Sequence, residues 1–546
     1  MGELDTRGGL ASKDWVRVCV PLCLIAIGIL VRMAAFGSAP AGFNQDEAFA
    51  GYETWSLLTY GVDSWGYPWP CYFVSWGSGM NVLESYLAIP FLALLGCTET
   101  ALRLPQLLCA CLSLPVLYDL LRRMISRRAA LIGLGLLAIS PWHILLSRWG
   151  LESNLAPAFL LFGFYFLVRG LEDGRFLLAS AAAYGLSLYA YAINWVVVPL
   201  TLCTCGIYLL ACGRRFRMGY LLGAVGILFV LALPLILFVL VNLGVIGEIV
   251  TPWLSVPELA AMRDGEVSLA NLLSPAAWQE LAEVVFLQRD RLIWNGVGGF
   301  GLFYPLSLPF QLLGAARLVR GAVKSLRART YSWQVLVLVW AGCGVVVSLL
   351  VANLNITKAN SLHLCTLIFI TAGLDGMVEL CRRARRMGWL PPLTAAAYTC
   401  CFLAFAGIYF TSYQEKIGVA FRQGVGEAVA FLREQEFARV YVDGSVYYSQ
   451  ILFYDQTPHR VYRETVEYGN YPAAFLEVEG FGRYVFGIDY GALEEGCAYL
   501  VPAARGEELA AAGWQVERFD GYAVAWKCEA EKGGGGPQGC PGGGVS

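Results

Sequence analysis

Charge is what this chain has least of. Only 15% of its 546 residues are Asp, Glu, Lys or Arg, against about 25% in an ordinary soluble protein. The signs nearly cancel, 39 basic against 41 acidic, so no net field is available to gather a polyanion such as nucleic acid. Low charge with high hydrophobicity also excludes a disordered polyelectrolyte. ATP-driven chemistry lacks its signature: there is no Walker motif, and no Gly-rich phosphate loop follows a strand. Seventeen cysteines look like a disulfide framework until they are placed: Cys71, Cys497, Cys528 and Cys540 lie outside the apolar runs, and a Cys497–Cys528 bridge stays open. Most lie in apolar runs, including Cys109, Cys111, Cys203, Cys205, Cys400 and Cys401, where they act as small apolar residues. Their spacing lacks the His or second CxxC of a zinc site. No tandem repeat is visible. The first apolar run is too long for a cleaved signal segment and has no small-residue cleavage site, so it reads as a retained span.

What the chain has in excess is apolar length. It is 57% hydrophobic, with mean hydropathy +0.57. About 30 Å of hydrocarbon needs about 20 helical residues. Runs near that length occur at roughly 16–36, 101–121, 129–147, 154–170, 176–193, 195–212, 219–243, 299–317, 332–352, 361–380 and 391–411. The expected fold class is therefore an α-helical polytopic membrane protein with about 11 spanning helices. Loops on the cytoplasmic side carry an excess of Lys and Arg. With the N-terminus inside, the inside segments collect 21 basic residues and the outside loops before 412 collect five: Arg148, Arg263, Arg289, Arg291 and Lys358. A twelfth stretch, 82–97, contains Glu84 and Pro90, and counting it as a span would invert the charge rule for every later loop. It reads as a helix at the outer interface.

Three parts follow. Residues 1–411 form a membrane domain. Residues 412–528 alternate helical and strand patterns and read as a small extracytoplasmic α/β domain. Residues 529–546 are a Gly-rich tail too poor in apolar residues to fold. Two outside loops, about 37–100 and 244–298, are far longer than ordinary connections. Their Trp, Tyr and Phe content argues for ordered, working structure.

The first loop contains Asp46 and Glu47, and no Lys or Arg occurs from Met33 to Leu102. Its carboxylates are either waiting for a substrate group or a metal, or are simply a solvated acidic loop; composition alone favours the solvated loop. Asp46 and Glu47 can hold a divalent cation, but no His or third carboxylate stands beside them to complete a site. The second constellation, Ser140 to Asn154, places Arg148 and Glu152 four residues apart, where they can pair on one helical face; a structural ion pair and a functional one are equally good readings. The third is the turn Asn353–His363, where Lys358 is either a phosphate contact at headgroup level or a snorkelling lysine. All three fall on the outer side of the 11-span topology, and together they suit a reaction on a lipid-linked phosphate.

At these residues the chain resembles the GT-C superfamily of membrane glycosyltransferases, and within it glycosyltransferase family 39, the protein O-mannosyltransferase and aminoarabinose-transferase-like group. The resemblance rests on Asp46–Glu47 opening a long outer loop, Arg103–Leu104–Pro105, and Ser147–Arg148 followed by Glu152. To these it adds Trp294–Asn295, Phe300 to Pro305, and the Asn355, Lys358, Asn360 turn. It implies a GT-C fold and an inverting transfer of a sugar from a polyprenyl-phosphate donor to a protein, lipid or cell-envelope glycan acceptor outside the plasma membrane. It implies Asp46 as base, with Glu47 and Glu152 orienting base or acceptor. Glu152 stands where the family usually has Asp. Arg148 and Lys358 would meet the phosphate, with Arg289 and Arg291 as further cations and Asn154, Tyr304 and Asn360 as further substrate-binding positions. No organic cofactor is implied, and partners are the donor lipid, the acceptor and the bilayer. The rival readings are a polytopic secondary transporter, which would carry polar residues near mid-membrane and inverted repeats, and a non-catalytic subunit that binds a lipid-linked sugar.

Overall fold

The computed structural model describes residues 7–262, 266–385, 387–435 and 437–528. The Gly-rich tail 529–546 lies outside the described residues. The chain divides into two compact units. The first takes in Met1–Phe36, Pro105–Leu233 and Asp264–Thr411; the second takes in Gly37–Leu104, Pro234–Arg263 and Ser412–Ser546.

The first unit is helical. Among the described residues seven helices are long and apolar enough to cross a membrane: Glu99–Met124, Glu152–Gly170, Asn194–Ala211, Met218–Asn242, Trp333–Leu350, Asn360–Ala384 and Leu390–Tyr409. Several leave apolar surface uncovered. Met218–Asn242 exposes Leu222, Phe229 and Val230, which is tolerable only where lipid replaces water. The protein is thus multi-pass. Each of the other four apolar runs also carries a helix, but in altered form. The first lies in Arg7–Met33, which includes Arg17 and Arg32. The run 129–147 is divided into Arg127–Ile139 and Pro141–Leu146, because Pro141 has no N–H to continue the ladder and Ser140 Oγ instead caps the new helix by accepting from His143 N. The run 176–193 is helical only over Phe176–Ser187. The run 299–317 is displaced: 299–304 is loop, and the helix Leu308–Arg327 continues into Arg320, Lys324 and Arg327. Helices Leu308–Arg327 and Asn360–Ala384 touch backbone to backbone. A Cβ at Gly314 would stand 1.7 Å from Phe369 O, and one at Gly373 would stand 1.9 Å from Phe310 O, so small residues are required at that crossing.

The second unit mixes helix and sheet. A short antiparallel ribbon joins β1 (Ile249–Val250) and β2 (Ser255–Val256). The main sheet uses β3 (Val440–Val442), β4 (Glu467–Tyr468), β5 (Val478–Phe481), β6 (Tyr484–Phe486), β7 (Ala498–Pro502), β8 (Gln515–Arg518) and β9 (Tyr522–Trp526) in the order β4-β5-β6-β3-β7-β9-β8. The central β3 runs parallel to β6 and β7, and the remaining pairs are antiparallel. Residues alternate between the two faces of each strand. Ala498 and Leu500 face one core with Val440, Val442 and Val524, while Tyr499 and Val501 face the other with Leu509, Ala523 and Ala525.

The first of these cores is completed from the first long loop, by Phe43, Ala48, Tyr52, Ala88, Leu92 and Leu102. Helix Gln45–Tyr60 packs on helix Tyr448–Asp455. The Phe43 and Phe453 rings are 4.7 Å apart, Tyr52 Oη donates to Thr457 O at 2.7 Å, and Ser449 Oγ donates to Gln45 O at 2.9 Å. Helix Leu83–Leu95, which carries the 82–97 stretch, has 13 residues. At about 1.5 Å per residue it is too short to cross a bilayer.

Candidate functional site

In the second unit the acidic pair sits at a helix start built by its own sequence. Asn44 is the N-cap of Gln45–Tyr60; its Oδ1 accepts from Asp46 N at 2.9 Å. Glu47, three residues on, returns the favour by accepting from Asn44 N at 3.1 Å. This reciprocal arrangement satisfies amides that a helix start leaves unpaired, and an acidic first turn is favoured by the helix dipole.

The two carboxylates then part ways. Glu47 is fully buried and held by Arg103, Nε to Oε1 at 2.8 Å and Nη2 to Oε2 at 2.9 Å. Arg103, also fully buried, donates further to Pro40 O at 3.1 Å and Gly42 O at 2.8 Å. One guanidinium therefore fixes both the helix start and the segment leading into it. Asp46 is only half-buried.

The solvated-loop reading of the acidic residues does not hold. Glu47, Glu53, Asp63 and Glu84 are all buried. Glu53 accepts from Ser64 N at 2.8 Å and from the Ser64 hydroxyl. Asp63 accepts from Trp65 N at 3.0 Å and Tyr67 N at 2.8 Å. Burial pushes the Asp63 carboxyl up to about 7, against the pull of those amides, and pushes Glu53 well above the usual carboxylate range, with the Asp63 charge adding to it. Glu99 accepts from Tyr454 Oη at 2.5 Å. The cation that Glu47 lacks within the stretch is Arg103, the residue immediately after it. Sequence reasoning placed Arg103 in a family motif but gave it no role; the signal available was its position as the first cation after a long stretch without one.

In the first unit, Arg148 is fully buried and donates to Arg32 O at 2.8 Å, Val31 O at 3.3 Å and Ala34 O at 2.5 Å. Its guanidinium lies 5.0 Å from the Phe410 ring centre. It thereby satisfies carbonyls at the C-terminal end of helix Arg7–Met33. Next to it Arg32 Nη2 contacts His143 Nδ1 at 2.7 Å. A guanidinium only donates, so His143 accepts at Nδ1 and carries its hydrogen at Nε2. Trp142 Nε1 donates to Asn360 Oδ1 at 3.1 Å, and Asn360 Nδ2 donates to Ser153 O at 2.9 Å. Asn154 and Asn360 line one narrow crevice with Trp149 and Trp294. Glu152 is the half-buried first residue of its helix. Lys358 is half-buried, with Nζ donating to Ala352 O at 2.9 Å. Tyr304 is buried and donates to Ile139 O at 2.6 Å. Arg289 and Arg291 are exposed and line a separate cavity of about 380 Å³. Of the expected site residues, Asp46 and Glu47 thus belong to the second unit and the others to the first. Among the described residues no three His, Cys, Asp or Glu side chains stand together to hold a metal ion.

Residues 82–238 match the family model described as dolichyl-phosphate-mannose-protein mannosyltransferase. Among solved structures, ArnT from Cupriavidus metallidurans in the apo state is similar at 14% identity and TM-score 0.53, over 94% of this chain and 98% of that one. The same protein bound to undecaprenyl phosphate is similar at 13% identity and TM-score 0.52, with the same coverage. The Archaeoglobus fulgidus oligosaccharyltransferase tethered to an acceptor peptide is similar at 12% identity and TM-score 0.50, over 82% of this chain and 63% of that one. No curated protein matches the chain in sequence. At these identities the likeness is one of fold.

Proposed function

We propose that this chain is a membrane glycosyltransferase of GT-C type that draws on a polyprenyl-linked donor through an outward-facing site; the family-model match over residues 82–238 and the ArnT-like fold support this reading. The reaction is an inverting transfer to a hydroxyl of an extracytoplasmic acceptor. A sugar joined to a phosphate already has a good leaving group, so the acceptor's proton and the phosphate's charge are what the protein must manage. A positioned base takes the first and fixed cations meet the second.

Asp46 is the base. The observation that carries this is the division of labour at the helix start: Glu47 is locked on Arg103 while its neighbour is left half-buried and reachable. Glu47 is a positioning residue, because its carboxylate is spent on Arg103 and the Asn44 amide. Lys358 and Arg148 meet the phosphate, Lys358 by exchanging one backbone carbonyl for it and Arg148 from behind its own carbonyl contacts. Glu152, Asn154, Tyr304 and Asn360 shape the acceptor and donor pockets of the first unit. We place the site and the 412–528 domain outside the plasma membrane, on the charge asymmetry of the loops, with the chemistry assigned to 1–411.

The test is Asp46→Asn in correctly inserted protein, assayed with a polyprenyl-phosphate-sugar donor. Loss of a general base lowers the rate by about 10²–10⁴. Transfer at the parental rate would remove Asp46 from the mechanism.

A further inference from the structure

The second long loop holds polar groups that the transfer chemistry leaves unused. The Arg289 and Arg291 side chains are exposed. They line the cavity of about 380 Å³ together with Glu280, Glu283, Asn353 and Asn355. A second cavity, of about 250 Å³, shares Arg289 and Asp290 as part of its wall and is otherwise bounded by Gln288 and the glycine-rich turn 296–301. Both lie wholly in the first unit.

Gln288 is the sharper observation. It is 3% exposed. Its Oε1 accepts from Leu302 N at 3.1 Å and Phe303 N at 2.8 Å, which fixes the amide so that Nε2 is the free end. That Nε2 is buried with no hydrogen-bond partner among the described residues. Buried donors are nearly always satisfied in a finished fold, so this one is kept for a ligand or a bound water. The neighbouring glycine protects the arrangement. A Cβ at Gly301 would meet Gln288 Oε1 at 2.9 Å, and the φ of +61° there disfavours any side chain.

The charge of the lining selects the ligand. In and beside the larger cavity Glu280, Glu283 and Asp290 outnumber Arg289 and Arg291, so a phosphate would meet more negative charge than positive. A neutral polyol has no such difficulty: its hydroxyls donate to carboxylates and accept from guanidinium and amide groups. Asp290 already accepts from Leu292 N, Asn295 Nδ2 and Ile356 N, so its part is to hold the wall in shape. The larger cavity, of about 380 Å³, falls in the range of roughly 300–1,000 Å³ that encloses small ligands, and a second compartment across a shared wall suits more than one ring.

From this we infer that the double cavity binds the carbohydrate portion of a substrate, as a neutral glycan longer than one sugar. Arg289 donates from the common wall, Arg291, Asn353 and Asn355 serve the larger compartment, and Gln288 Nε2 serves the smaller. Arg289 and Arg291 are then sugar-reading residues and not phosphate ligands. The link to a lipid-borne glycan rests on the transferase reading; the carbohydrate site itself does not.

The experiment uses the full chain in lipid nanodiscs, as parent and as the double variant Arg289→Gln/Arg291→Gln, whose exposed side chains can change without disturbing the fold. Three probes are titrated: neutral tetrasaccharides of mannose, glucose and galactose; a polyprenyl phosphate; and the same lipid carrying mannose. The expected result is that a tetrasaccharide binds the parent, that the variant binds it at least tenfold more weakly, and that binding of the sugar-free lipid is unchanged. The inference is overturned if no tetrasaccharide binds the parent, if parent and variant bind it alike, or if the variant loses the sugar-free lipid equally. Variant-sensitive tetrasaccharide binding in a protein that takes up neither lipid would leave the carbohydrate site standing and overturn the transferase reading instead.

Discussion

Replacing Arg103 by Met tests whether the buried ion pair positions the proposed base. The substitution leaves Glu47 charged and buried with its two short contacts of 2.8 and 2.9 Å removed, and leaves the Pro40 and Gly42 carbonyls without their donor. Breaking a buried pair by removing one partner costs about 3–5 kcal/mol, and the orphaned carbonyls push toward the upper end. The unit concerned has roughly 230 residues. In a domain of that size each kcal/mol moves Tm by about 2–4 °C, so the loss is about 6–20 °C. Adding Glu47→Gln should restore part of it, because the amide removes the stranded charge and can still accept from Asn44 N, as Gln does in a capping box. The double variant is therefore more stable than Arg103→Met alone. Thermal unfolding of the purified protein reads the stability, and a transfer assay reads the position of Asp46, where a displacement near 1 Å costs about 10² in rate. A Tm within about 2 °C of the parent for Arg103→Met, or losses that simply add in the double variant, would refute the argument.

Asp63 gives a pH test: burial raises it to about 7, so between about pH 4 and 7 the folded protein keeps a proton that the unfolded chain releases, and stability falls as pH rises through that window by up to about 1.4 kcal/mol per unit. Asp63→Asn keeps an acceptor for the Trp65 and Tyr67 amides and should flatten that slope, leaving the Glu53 contribution; an unchanged slope in thermal unfolding from pH 4.5 to 7 would exclude Asp63 as its source. Asn44→Ala removes the cap at Asp46 N and should cost about 1 kcal/mol, with a fall in transfer rate larger than the fall in Tm explains; a loss of stability alone would make the cap merely structural. Arg148→Lys cannot reproduce a planar fork onto the carbonyls of Val31, Arg32 and Ala34 and should destabilise by about 1–3 kcal/mol; unchanged Tm would mean that the helix end does not depend on it.

The sequence carried the membrane character and the helix positions well, because apolar length is a local property. Each of the eleven apolar runs has a helix in it. The errors sit where local composition and local geometry disagree. Residues 299–304 are apolar enough to extend a span, yet Gly299 and Gly301 turn the chain with positive φ and the helix waits for Leu308. In the C-terminal region the strands β3, β6 and β9 and the helices Val425–Glu434 and Ala503–Ala511 carry their own local apolar pattern. The helices Tyr448–Asp455 and His459–Thr465 and the strands β4, β5, β7 and β8 are not legible in that way. The site shows the same limit. Asn44 and Glu47 announce a capped helix within four residues. The partner that buries Glu47 stands 56 residues away, and the carbonyls that Arg148 satisfies stand more than 110 residues away. Polarity and spacing within one segment do not reveal such pairings. They therefore left the acidic loop looking solvated and gave no sign of the carbonyls that Arg148 holds.

The core shared between the first loop and the C-terminal sheet also sets a clock. The helix bearing Asp46 ends at Tyr60, and the sheet-side residues that bury its apolar face begin at Val425. Roughly 365 residues of chain separate them, which at about 5–20 residues per second is on the order of 20–70 s of synthesis. During that interval the membrane helices can be inserted while the helix bearing Asp46 lacks its sheet-side packing. That helix therefore gains its sheet-side core only when the residues from Val425 onward have been made. A chain truncated before Val425 would leave the first loop without the sheet-side half of its core.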